Sequence, residues 1–306
     1  MAHTLGPRAR LARGRAVPIR KTTMSTSISR RTVTRSVVAG ATALGVTGIA
    51  RSASAETSAA EAVTHKKRLP TIVLVHGAFV DASSWAPVVQ RLLRQGHRVV
   101  VPPNPLRGVA GDAAYVRSVL DGIEGPVVLA GHSYGGSVIS RAAVGSAQVK
   151  GLVYIAAFVP DIGESAAELS GKYPGSSLAD TTVVQKYPLP GGGQGDELVI
   201  RQDLFPQQFA AGVEKTTART MAAGQRPITV AALNEPATAA AWKNLPSWYL
   251  IATEDRNIPP KAQRWMAARA KAHTVTIHAP HAATVSDPRA VADLLDKAAH
   301  AVSAGH

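Results

Sequence analysis

The chain has 306 residues, with 34 Lys and Arg against 20 Asp and Glu, a formal charge of +14, and no cysteine. Its length suits one large domain or two small ones, and the missing cysteine excludes both disulfides and the lipidated cysteine of a bacterial lipoprotein. The charge is concentrated in residues 1–55, which hold ten Lys or Arg and no Asp or Glu; the remainder carries 24 basic against 20 acidic side chains. No basic stripe with interleaved aromatics is left there, so a nucleic-acid partner is not expected.

The leader has the order of a bacterial export signal. Arg30-Arg31 precede an uncharged run from Ser36 to Ala50, and Arg51 and the small-residue triplet Ala53-Ser54-Ala55 follow. That order reads as a signal peptide with a twin-arginine address, expected to be cleaved after Ala55, and it makes the twin-arginine export machinery an expected partner. The 15-residue run, with three Gly and two Thr, is too short and too weakly apolar to span ~30 Å of hydrocarbon. No membrane anchor is therefore expected after cleavage, and the product should be secreted or otherwise extracytoplasmic. Met24 begins a normal-looking signal and is read as the true start, with a long n-region from Met1 as the alternative. Residues 56–69 are polar and Ala-rich and read as a linker.

From residue 70 short apolar runs alternate with amphipathic stretches. Thr71 to Val75 is β-branched and apolar on both faces, as a buried parallel strand should be. A helix is expected over Ala86 to Arg94, ended by Gly96, then a strand over Arg98 to Val101 and a helix over Ala113 to Ile123. Pro126 to Ala130 is a strand, Ser137 to Val144 a helix, and Val149 to Val159 a strand. A long interruption follows, from about Pro160 to Lys243, with Gly191-Gly192-Gly193 and helical pieces such as Ala210 to Ala223. Beyond it come strands at Trp248 to Ala252 and Thr274 to His278, and helices at about 260–271 and 288–302. This alternation predicts a mostly parallel central sheet with helices on both faces. The interruption is too long for a simple loop and is read as a helical cap insertion.

Gly131-His132-Ser133-Tyr134-Gly135 follows a strand and opens a helix, the context in which a G-x-S-x-G serine becomes a nucleophile. A serine hydroxyl needs a base, and the base needs an orienting carboxylate. His281, just beyond the last strand, is the expected base; His278, within or at the end of that strand, is the weaker choice. Asp255 ends the strand that begins at Trp248 and is the expected acid, ahead of Glu254 and Asp161. The oxyanion needs two backbone donors, and these should be the amides of Ala78, in the loop after the first strand, and Tyr134. His76 and His132 are better explained by local structure. Phe79 and Trp242 are expected to line the substrate pocket. No H-E-x-x-H and no P-loop occurs, so no metal site is expected.

From about Leu69 to His300 the chain resembles the α/β-hydrolase superfamily, in the branch of bacterial small-molecule esterases, plant methylesterases and hydroxynitrile lyases. The residues that carry the likeness are Val75-His76-Gly77-Ala78, Trp85, Gly96-His97-Arg98-Val99, Gly131 to Gly136, Thr253-Glu254-Asp255 with Pro259, and His281. The resemblance implies the α/β-hydrolase fold, a Ser133/His281/Asp255 triad and no cofactor. The branch's lyases carry Thr where Gly77 stands, so cyanohydrin cleavage is not expected; the superfamily's dehalogenases and epoxide hydrolases carry Asp in place of Ser133. The expected function is cleavage of a small carboxylic ester, lactone or thioester through an acyl-enzyme on Ser133. Two other readings of the same residues stay open: a cofactor-free haloperoxidase or perhydrolase, and a small-ligand binding protein without fast turnover.

Overall fold

The computed structural model describes residues 69–304. The leader, the two alternative starts and nearly all of the linker lie outside the described residues.

Six strands form one sheet: β1 (Thr71–Val75), β2 (Val99–Val100), β3 (Val127–His132), β4 (Val149–Ile155), β8 (Ser247–Ala252) and β9 (His273–Ile277), with β5 to β7 elsewhere. Their order is β2-β1-β3-β4-β8-β9, and every pairing is parallel. The strands alternate side chains between two cores. Val73, Val75, Leu129 and Leu152 face one, and Ile72, Leu74, Val128 and Val153 face the other. Burial on both faces is what a parallel strand with helical crossovers requires, and β1, β3 and β8 are buried throughout and mostly apolar. The edge strands β2 and β9 are only partly buried.

Helices close each face. On one side lie α1 (Ala86–Arg94) and the last helix, Pro288–Ala304, through Val88, Leu92, Val291 and Leu295. The other side is covered by α2 (Val109–Asp121), α3 (Gly135–Ala142) and helix Pro260–Arg269, through Val116, Val138 and Met266. No helix among the described residues is long and apolar enough to cross a membrane.

The segment between β4 and β8 is not purely helical, which corrects the expected helical cap. Besides short helices such as Ala166–Gly171, Phe205–Gln208 and Lys215–Ala223, it contains a three-stranded antiparallel sheet, β5 (Thr182–Pro188), β6 (Gln194–Ile200) and β7 (Ile228–Thr229). Thr182, Val183 and Val184 supply the β-branched strand. Gly191, Gly192 and Gly193, all at positive φ (89°, 104° and 83°), make the reversal into β6.

Candidate active site

Ser133 sits between β3 and α3 with φ of 53°, in the left-handed region that a side chain rarely adopts. The neighbouring glycines make this turn possible. A Cβ on Gly131 would stand 2.6 Å from the backbone of Gly135, and one on Gly135 would stand 2.5 Å from the carbonyl of Val75. The serine therefore projects from the end of the strand at the start of a helix, where the helix dipole favours negative charge.

His281 lies in the loop after β9. Its Nε2 is 2.8 Å from Ser133 Oγ and its Nδ1 is 2.7 Å from Asp255 Oδ2. The carboxylate only accepts, so Nδ1 carries the proton and Nε2 is left to accept from the serine hydroxyl. Asp255, in the loop three residues beyond β8, is held by three further donors. The amides of Asn257 and Ile258 reach Oδ1 at 2.7 and 2.9 Å, and Gln263 Nε2 reaches Oδ2 at 2.8 Å. Ser133, Asp255 and His281 are 6%, 3% and 0% exposed, so bulk water hardly competes for these contacts and each is stronger than at a surface.

The amides of Ala78 and Tyr134 have no hydrogen-bond partner among the described residues, whereas the next amide, that of Phe79, donates to Arg226 O at 3.1 Å. Two histidines brace this wall. The Asn104 amide donates to His76 Nε2 at 2.9 Å, which leaves His76 Nδ1–H to donate to Gly77 O at 2.9 Å and hold the loop beneath Ala78. His132 donates through Nε2 to His281 O at 2.8 Å. Its pKa is taken down to about 3, first by burial and then by His281 beside it, so this ring stays neutral. The Tyr134 hydroxyl, turned away from the site, donates to Asp112 Oδ2 at 3.0 Å, and burial pushes both groups toward their neutral forms.

Above Ser133 is a cavity of about 340 Å³ walled by Ala78, Phe79, Phe158, Leu198, Leu233 and Ile258 among others, with no charged side chain among its lining residues. Phe79, placed here from the sequence, does form part of this wall. Trp242 does not. Its Nε1–H donates to Pro160 O at 2.8 Å and the cations of Lys243 and Arg269 stand 5.4 and 5.6 Å from its ring. It ties the two ends of the insertion together at its base, away from the cavity. The weaker choices for base and acid are also elsewhere: His278 and Glu254 pair with each other at the surface (3.4 Å), and Asp161 pairs with Lys243 (2.5 Å).

A family model described as the alpha/beta hydrolase family matches residues 72–294. The chain belongs to the α/β-hydrolase family. A carbendazim-hydrolysing esterase from Nocardioides is 36% identical over 117 residues, covering 34% of this chain and 48% of that enzyme. The match thus spans about half the length of that relative. The alpha/beta hydrolase nvfD of Aspergillus novofumigatus is 26% identical over 255 residues, covering 75% of this chain and 96% of its own length. The crystal structure of polyneuridine aldehyde esterase superposes with a TM-score of 0.66 at 21% identity, over 75% of this chain and 99% of that one, a likeness of fold.

Several residues around the hydrolase site escaped sequence reasoning. Gln263 is 0% exposed on the inward face of its helix, and a polar side chain among Ala262, Met266 and Ala267 was the signal available. Gln208 and Phe209 belong to the insertion. Gln208 Nε2 donates to Asn257 Oδ1 at 2.7 Å and to Arg256 O at 3.1 Å, while Phe209 O accepts from the Ala282 amide at 2.9 Å. The Phe209 ring meets that of His281 edge-on at 4.8 Å.

Proposed function

We propose that this chain is an exported serine hydrolase that cleaves a small carboxylic ester through an acyl-enzyme on Ser133. The observation that carries the proposal is the relay beneath the cavity: Ser133 Oγ 2.8 Å from His281 Nε2, with His281 Nδ1 2.7 Å from Asp255. Kinship with proteins described as esterases supports the reaction type.

Ser133 Oγ attacks the acyl carbon as its proton passes to His281 Nε2, and Asp255 stabilises the resulting imidazolium. The carbonyl oxygen becomes an oxyanion and accepts from the amides of Ala78 and Tyr134, a contribution of about 3 kcal/mol for a single donor in comparable sites. Collapse breaks the ester C–O bond, and the departing alcohol takes the proton from His281. Water then repeats the sequence with His281 as base, releasing the acid and restoring the serine hydroxyl. Lactones and thioesters present the same acyl carbon and are substrates of the same mechanism. Arg30-Arg31 and the uncharged run behind them support action outside the cytoplasm. N-terminal sequencing of the exported protein should then begin at Glu56.

The deciding experiment is hydrolysis of short- and medium-chain p-nitrophenyl esters by the purified chain beside Ser133→Ala. Turnover abolished in the variant, with unchanged thermal unfolding, is the expected result. Equal turnover by both proteins, or none by the wild type, overturns the reading.

A further inference from the structure

One polar atom on the cavity wall has a fixed direction and nothing to bond. Arg256 O is a carbonyl and only accepts, so the Gln208 atom 3.1 Å from it is the NH2 group. The same nitrogen stands 2.7 Å from the Asn257 side chain, which must therefore present its oxygen to Gln208. Ser177 Oγ, donating to Gln208 Oε1 at 2.6 Å, agrees with this orientation. Asn257 is left with its NH2 group directed away from Gln208. That nitrogen has no hydrogen-bond partner among the described residues, and it is not among the partnerless side-chain atoms sealed from open space. Asn257 is 97% buried, at 3% exposure, and the open space beside it is the cavity whose wall it helps to form.

The other polar side chains that offer a group to that wall are the hydroxyls of Ser133, Ser170, Ser176 and Thr182, the Tyr134 hydroxyl being bonded to Asp112 away from it. A hydroxyl turns to meet a donor or an acceptor alike, whereas an amide NH2 only donates. Ser170 moreover already donates to Asn257 O at 2.9 Å. A fixed donor in an uncharged, mostly apolar cavity disfavours a plain hydrocarbon chain, which leaves it unpaired, and favours one that offers an oxygen. The acyl group is the part of an ester that must be held through both half-reactions, because the alcohol leaves after the first.

We infer that Asn257 is a specificity residue whose side-chain NH2, fixed by Gln208, donates to a second oxygen on the acyl group of a neutral ester. Oxo- or alkoxy-substituted apolar acyl groups are then preferred to plain alkanoyl groups. The inference rests on the esterase reading.

The test compares p-nitrophenyl hexanoate with its 3-, 4- and 5-oxo analogues, using wild type, Asn257→Leu and Gln208→Leu. The quantity read is the oxo-to-plain ratio of kcat/KM for each protein. Intrinsic ester reactivity and any general loss of activity cancel when these ratios are compared between proteins. For at least one isomer the ratio should fall about three- to tenfold in Asn257→Leu, the worth of one neutral hydrogen bond. It should fall in the same direction in Gln208→Leu, where the Asn257 amide is free to turn. The same pairs are measured for binding to Ser133→Ala with and without Asn257→Leu, so that the answer does not depend on turnover. Turnover with an unchanged ratio for every isomer overturns the inference and leaves the esterase reading standing. A binding difference without turnover overturns the esterase reading and with it the acyl-group preference, leaving only the contact of Asn257 with a ligand oxygen, and the absence of both overturns both.

Discussion

His132 allows the electrostatics of the site to be tested without a substrate. It is 1% exposed, bonded to His281 O, and its pKa falls from the ordinary 6.5 to about 3 through burial and the neighbouring His281. The native state thus leaves this ring unprotonated, while the unfolded chain takes up a proton below pH 6.5. A depressed pKa of this kind stabilises the fold fully above the unfolded value, and the contribution is lost as the pH falls from 6.5 toward about 3. Linkage between those two values amounts to about 2 kcal/mol lost between pH 7 and pH 5, and about 3 kcal/mol by pH 4. His132→Gln removes the titration and keeps an amide donor for the His281 carbonyl. Urea unfolding at pH 7, 5 and 4 should show the wild type losing about that much more stability than the variant. His76, whose pKa burial also lowers, remains in both proteins and cancels. Equal acid sensitivity of the two would refute the assignment of a neutral, buried imidazole at this position.

Two further substitutions probe the groups that hold the relay. Gln263→Leu removes a donor from Asp255 Oδ2 and leaves the Ala252 amide and Ile258 carbonyl without its contacts of 3.0 and 2.8 Å; kcat should fall about tenfold and stability by about 2 kcal/mol, the scale of a buried hydrogen bond to a charged group. A raised KM with kcat intact would contradict a role through Asp255. Phe209→Ala deletes a ring that is 1% exposed, stacked on Phe205 at 4.9 Å and edge-on to His281; unfolding measurements should show a loss of about 3 kcal/mol or more. Its kcat should also fall at temperatures where the variant is fully folded, and an unchanged kcat there would show that Phe209 does not hold the imidazole.

What was legible in the chain followed from local constraints. The β-branched run Thr71 to Val75 and the strand–turn–helix around Ser133 state their conformations within a few residues, and the ends of successive parallel strands then converge at one edge of the sheet. That convergence is why Ser133, Asp255 and His281, far apart in the chain, could be picked out as one group by their positions after β3, β8 and β9. The insertion offered no such rule. Its sheet pairs Ile228 with Leu198, 30 positions apart with the helices Phe205–Gln208 and Lys215–Ala223 between them, and two-residue β7 has no period to detect. Trp242, expected in the pocket, stands outside it because its buried indole N–H needs an acceptor and finds the Pro160 carbonyl. The contact of Gln208 with Asn257 joins residues 49 apart, and no spacing announces a hydrogen bond of that kind.

These contacts give the insertion a second part besides covering the cavity. Gln208 and Phe209 are adjacent in the chain; one holds the loop that carries Asp255 and the other holds the loop that carries His281. The two loops hang from different strands of the sheet, β8 and β9, and the distance between Asp255 and His281 depends on both. A single turn of helix, Phe205–Gln208, with Phe209 directly after it, bridges them. Ser170 and Ser176 belong to that same region and to the cavity wall, and Ser170 bonds Asn257 O. A molecule filling the cavity would meet Ser170, Ser176 and Asn257, and Asn257 is bonded to Gln208. An interaction made far from Ser133 can reach the chemistry through these few hydrogen bonds, and substitutions in this part of the insertion should alter kcat as readily as KM.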